Sequence, residues 1–251
     1  MIRRVLRRRD FLGTSATVLL LASSAKAGWL DKGVDTLKSL QGDDGDGALS
    51  EVQIGRGLKE ALKVASERVV AQVGQPGGYL SDAAIHIPLP GYLSDARDLL
   101  ATVNADGLLS NLETQINRAA EQAAPEAKSI FFDAIGQMTV GDARKILNGP
   151  NDAATNYFKR TMSSDLRATF RPIVNDRLEG TGAMQTLDRT LKAYDNVPFT
   201  GQLADNAQTR LVNHGLDGAL GGLFHYMAEE EAAIRSNPAK RTTDLLKQVF
   251  G

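Results

Sequence analysis

The sequence predicts an all-α fold: a single multi-helix, bundle-like domain with one extended proline-containing segment, after a cleaved signal peptide. Three observations carry this reading. Apolar residues recur at three- and four-residue spacing along most of the chain, and β-branched alternation is almost absent. The periodic stretches are also bounded by capping residues, glycines and prolines, placed where helices would begin and end.

The first element is a leader. Arg3, Arg4 and Arg7 precede Arg8-Arg9-Asp10-Phe11-Leu12, an apolar core from Val18 to Ala22, and the small-residue triad Ala25-Lys26-Ala27. This is the pattern of a twin-arginine export signal, so the expectation is a periplasmic protein that crosses the membrane already folded and is cleaved before Gly28. The uncharged run from Phe11 to Ala25 spans 15 residues. A spanning helix needs about 20, so the chain is read as not membrane-anchored after cleavage.

The leader holds six of the 29 basic residues and one of the 30 acids, leaving 23 against 29 and a net charge of about −6 from Gly28 onward. That balance argues against a phosphate backbone as partner, so no nucleic acid is expected. The chain has no cysteine, which excludes disulfides, thiolate metal sites and thioether-linked haem.

Residues 28–48 read as a flexible acidic linker, closing on Gly42-Asp43-Asp44-Gly45-Asp46-Gly47. It resembles part of a calcium loop. With Gly47 as the turn glycine, however, the first and last ligand positions fall on Gly42 and Gln53, neither of them an acid, so a solvated linker is the better reading. The domain proper is expected at residues 49–251.

Ser50 with Gln53 makes a capping box, and Val52, Leu58, Ala61, Leu62, Ala65, Val69 and Val73 carry a helix to Gly74. Gln75 to Pro90 cannot be regular helix; Ile85-His86-Ile87-Pro88-Leu89-Pro90 should be extended and lay alternate apolar residues on the core. Ser94 or Asp95 starts a further helix. Asp106 caps another, with the face Leu108, Leu109, Leu112, Ile116, Ala119 and Ala123. Pro125 suits the first turn of the next, which contains Ile130, Phe131, Ile135 and Met138.

Thr139 with Asp142 opens a short helix that Asn148-Gly149-Pro150 closes. Asn151 or Asp152 begins one with Tyr157, Phe158 and Met162. The stripe Leu166, Phe170, Ile173, Val174 and Leu178 is interrupted by Pro172, which predicts a kink or split. Met184, Leu187, Leu191 and Tyr194 mark another helix. A long one runs from about Ala204 to Ser236, and Thr242 or Thr243 caps a last turn or two from Asp244 to Phe250.

Three stretches are similar to a bacterial family known only as domain of unknown function 4197 (DUF4197). They are Gly78-Tyr79-Leu80 through Ile87-Pro88-Leu89-Pro90, Phe132-Asp133-Ala134-Ile135 through Tyr157-Phe158, and Ala228-Glu229-Glu230-Glu231 through Val249-Phe250-Gly251. The resemblance spans about Leu49 to the terminus and implies an all-α envelope domain with no established activity. The Asp-rich linker departs from it. Among the polar residues on that pattern are Asp133, Arg144, Asp152, Arg171, Arg235 and Arg241, read as inter-helix ion pairs rather than chemistry.

No nucleophile elbow, phosphate loop, dinucleotide fingerprint or His-Glu-x-x-His helix occurs, and no cofactor is implied. The long helix is the most suggestive element. Leu216, Leu220, Leu223, Phe224, Met227 and Ile234 form one face. His214, Gly215, Gly218, Gly222, His225 and Glu229 fall opposite.

Glycines cost about 1 kcal/mol each within a helix, so close approach by a second helix or a ligand is expected there, and with it a candidate interaction face and a route to oligomers. His214 and His225 stand about 16 Å apart along the axis, so they cannot share an ion; only His225 with Glu229 could form half a metal site. Glu229-Glu230-Glu231 reads as a solvated charge run with a Glu231–Arg235 pair, beside which Arg241 could dock.

The function read from all this is a non-enzymatic periplasmic helical binding or scaffold module. Its partner would be an envelope protein, cell-wall component or small ligand. The alternative is an envelope enzyme or metal-binding protein using carboxylates with His225.

Overall fold

The computed structural model describes residues 51–94, 106–180, 182, 184–185 and 206–236, which contain helices and no strand. Helix α1, Glu51–Val73, buries Leu58, Ala61, Leu62, Ala65, Val69 and Val73 of its stripe, whereas Val52, expected on the same stripe, is exposed in the first turn. A run of turns follows, with Gly77 at φ +87°, a left-handed conformation that suits glycine. The turns run through Ile85, the chain from His86 to Pro90 is neither helix nor turn, and the alternate residues Ile85, Ile87 and Leu89 are buried. Helix α2 is the single turn Gly91–Ser94.

Helix α3, Asp106–Ala123, leads through a 3-10 turn holding Pro125 into α4, Ala127–Gln137. Helix α5, Val140–Leu147, opens on the expected capping box: the Asp142 N–H donates to the Thr139 hydroxyl, and the Thr139 N–H donates to the Asp142 carboxylate. Helix α6 runs Ala153–Gly180 and α7 Ala207–Ser236.

The core lies where α7 meets α1, α3 and α6, and where α4 closes on α1 and α6. Phe131 of α4 meets Phe158 of α6 edge to face, ring centres 5.0 Å apart, an arrangement favoured by the aromatic quadrupoles.

Two expectations need correcting. Pro172 does not split α6, which is continuous through it. Pro172 and Ala168 are both exposed, so the carbonyl deprived of its N–H partner lies on the solvent side, where water can satisfy it. The long helix expected from about Ala204 begins at Ala207, after Asn206 at φ +62°. The leader, the linker, most of the Met184 to Tyr194 stripe and the Asp244 to Phe250 helix lie outside the described residues.

Candidate functional site

Residues 77–90 form a strap seated between α3 and α7, and most of the buried polar chemistry serves it. Glu113, Asn117 and Glu121 occur every fourth residue on α3, on one face of that helix. Each takes hold of a different part of the strap. Glu121, 4% exposed, accepts from the N–H groups of Tyr79 (3.2 Å) and Leu80 (3.0 Å), and from Arg118 (2.7 Å).

Asn117, fully buried, accepts from the Ile87 N–H at 2.9 Å and donates to the Ile87 carbonyl at 2.8 Å, bracketing one extended residue as a neighbouring strand would. Glu113 lies 2.8 Å from His86 Nε2. Burial works against ionisation of Glu121, yet the donors of Leu80, Arg118, Gly77 and Tyr79 outweigh it and hold the carboxyl below its usual range.

On the other flank α7 receives the strap. Tyr79 is fully buried and donates to the Ala219 carbonyl at 2.6 Å; burial pushes its hydroxyl far above the usual tyrosine range. His214 Nε2 reaches the Pro88 carbonyl at 2.7 Å, and the Tyr226 hydroxyl donates to Asp82. That last bond lowers the Asp82 carboxyl and pushes Tyr226 up to about 12.

The glycine face is therefore a packing face, as its composition suggested. Helices α3 and α6 close on Gly215, where a methyl group would lie 3.3 Å from Ile116 Cγ2 and 3.4 Å from Val174 Cγ1, and the chain's own strap closes on Gly218 and Gly222. A methyl group at Gly218 would lie 2.7 Å from Ile87 Cγ2, and one at Gly222 would lie 2.5 Å from Tyr79 Cε1. Two positions of the candidate interaction face are thus covered from within. His225 and Glu229 are exposed and pair at 3.4 Å.

A second constellation joins three helix ends. Glu231 on α7 is 5% exposed, and its carboxylate accepts from the N–H groups of Ala154 and Thr155 and from the Thr155 hydroxyl, each at 2.9 Å. It thereby caps the N-terminus of α6 from another helix, where the helix dipole favours negative charge. Arg235, one turn on, bonds Glu231 at 3.0 Å and donates to the carbonyls of Ile146 (2.7 Å) and Leu147 (3.4 Å), where α5 ends and positive charge is favoured.

Glu231 is thus no part of a solvated charge run. Its four-residue spacing to Arg235 was visible, but the α6 terminus waiting for it was not. Glu230 is also engaged, with Arg68 at 2.7 Å.

The other family-pattern residues do not gather into a site. Asp133, Arg144 and Asp152 are exposed; Arg171 donates to Asn213 rather than to an acid; Arg241 lies outside the described residues. Among the described residues no group of three or more His, Cys, Asp or Glu could hold a metal ion, and no described helix is long and apolar enough to cross a membrane. The recess lined by Leu58, Leu62, Ile146, Met227, Glu231 and Arg235 has about 20 Å³, room for one water-sized group, whereas ligand pockets run to several hundred Å³.

These features define an all-α domain whose buried acids fasten its own backbone. The chain belongs to the family described as "Protein of unknown function (DUF4197)", whose model matches residues 48–251. No curated protein and no solved structure matches it.

Proposed function

We propose that this protein is a non-enzymatic helical binding or scaffold module of the bacterial periplasm. The observation that carries the reading is the use made of the two acids buried among the described residues. Glu121 and Glu231 are both saturated by backbone N–H groups and an arginine, whereas a catalytic acid or base must keep a face free for substrate. The export leader Arg8-Arg9 through Ala27 supports the compartment.

The strap covers Gly218 and Gly222, so the part of α7 left for a partner is the edge bearing Asp217, Gly221, His225 and Glu229, all exposed. An envelope protein, cell-wall component or small ligand meeting that edge would touch backbone directly at Gly221, where no other group comes within 4 Å of an added methyl.

The absence of cysteine in the chain makes Gly221→Cys a unique attachment point for a cross-linker. Cross-linking in intact cells should give a discrete adduct at residue 221 and none at Asp133→Cys on the far side of the domain core. Native mass spectrometry and elemental analysis of the exported protein should find no stoichiometric metal or cofactor. A retained metal that is lost in His225→Ala would overturn the reading in favour of an enzyme or metal protein.

A further inference from the structure

The strap's hold on α3 includes one group whose geometry suits only its charged form. His86 is partly buried, with Nδ1 3.1 Å from the Leu80 carbonyl and Nε2 2.8 Å from the Glu113 carboxylate. Both partners are acceptors only, and a neutral imidazole carries one N–H. Either neutral tautomer therefore turns a ring lone pair toward an acceptor oxygen about 3 Å away, whereas the imidazolium donates to both.

Among the described residues, the other charged groups about the strap have partners of their own: Asp82 is bonded to Tyr226, Arg118 and Glu121 of α3 to each other, His214 of α7 to the Pro88 carbonyl, and His225 of α7 to Glu229.

We infer that His86 is a proton-operated clasp: its protonation fastens the strap to Glu113, and its deprotonation loosens the neighbouring Ile87, which covers Gly218 of α7. The sign follows from the geometry. The bonded form is the protonated one, so the clasp is closed in acid and opens as pH rises. Glu121 and Tyr79 keep their bonds throughout, so the strap loosens around His86 and Ile87 without leaving the bundle.

Hydrogen exchange on the folded protein reads this directly through the His86 amide, which donates to the Asp82 carbonyl, and the Ile87 amide, which donates to Asn117. After correction for intrinsic rates and normalisation to amides of α1, their protection should be roughly tenfold lower at about pH 8 than at about pH 5.5, the scale of one charge-assisted hydrogen bond. In His86→Gln the ratio should be flat. Glu113→Gln keeps the ring but offers an amide that either donates or accepts, so there too the dependence should collapse. A parent ratio equal to that of His86→Gln, or undiminished in Glu113→Gln, would overturn the inference.

Discussion

Gly221 and Gly222 are adjacent residues of one helix, and alanine should act on them in opposite directions. At Gly222 the new methyl carbon would stand 2.5 Å from Tyr79 Cε1 and 3.0 Å from Ile85 Cβ, where carbon contacts settle at about 3.5–4.0 Å. The ring must therefore move by about 1 Å. It has little freedom to do so, because its hydroxyl is bonded to Ala219 and its N–H to Glu121.

Overpacking costs about 1–3 kcal/mol, and disturbing the Tyr79 hydrogen bond about 1 kcal/mol more. The gain in helix propensity returns about 1 kcal/mol, so Gly222→Ala should lose roughly 1–3 kcal/mol. Gly221 meets nothing within 4 Å and should show the propensity gain alone, up to about 1 kcal/mol.

Urea unfolding followed by far-ultraviolet dichroism, with equal m-values as the check on two-state behaviour, should separate the two variants by roughly 2–4 kcal/mol. Two alanine variants within about 0.5 kcal/mol of each other would refute the claim that the strap, rather than solvent, sets the cost at Gly222.

Glu231→Ala should cost about 3–5 kcal/mol, because it leaves Arg235 buried without its carboxylate and strips the cap from α6; thermal unfolding measures it, and a loss below about 1 kcal/mol would mean that water replaces the cap freely. The Glu121 carboxyl is held below its usual range, so its contribution is fully present above the ordinary carboxylate range and is lost as pH falls through the depressed value. Glu121→Gln should therefore be less stable than the parent at neutral pH, with the gap narrowing in acid, and a gap that widens on acidification would contradict the assignment. Replacing Arg8 and Arg9 with lysine should strand the protein in the cytoplasm; unchanged periplasmic recovery, followed by fractionation, would rule out the twin-arginine route.

What the sequence made legible was local. The Thr139–Asp142 capping box, the Asn148-Gly149 stop of α5, the alternating burial of Ile85, Ile87 and Leu89, and the crowding at Gly218 and Gly222 each follow from a few neighbouring residues. What it hid were pairings across the chain. Glu113, Asn117 and Glu121 stand at a regular four-residue spacing, and that spacing was the available signal. Their partners lie about 30 to 40 residues away in a segment without helical periodicity.

Glu231 looked like solvent-facing charge because its destination, the first turn of α6, is 76 residues upstream. Of the kink or split expected at Pro172, the split does not occur, because the orphaned carbonyl faces water.

The three-way junction at Glu231 and Arg235 also orders events in time. The first turn of α6 and the last of α5 await groups made some 76 to 89 residues later in the chain, and contacts of that separation form late because their loop-closure entropy must first be overcome. During synthesis both helix ends stay uncapped until the close of α7 has emerged, so this junction is among the last parts of the bundle to form. On the proposed folded export, readiness for passage would be reported by α7, and shortening the chain before Glu231 should leave α5 and α6 frayed at the ends that face each other.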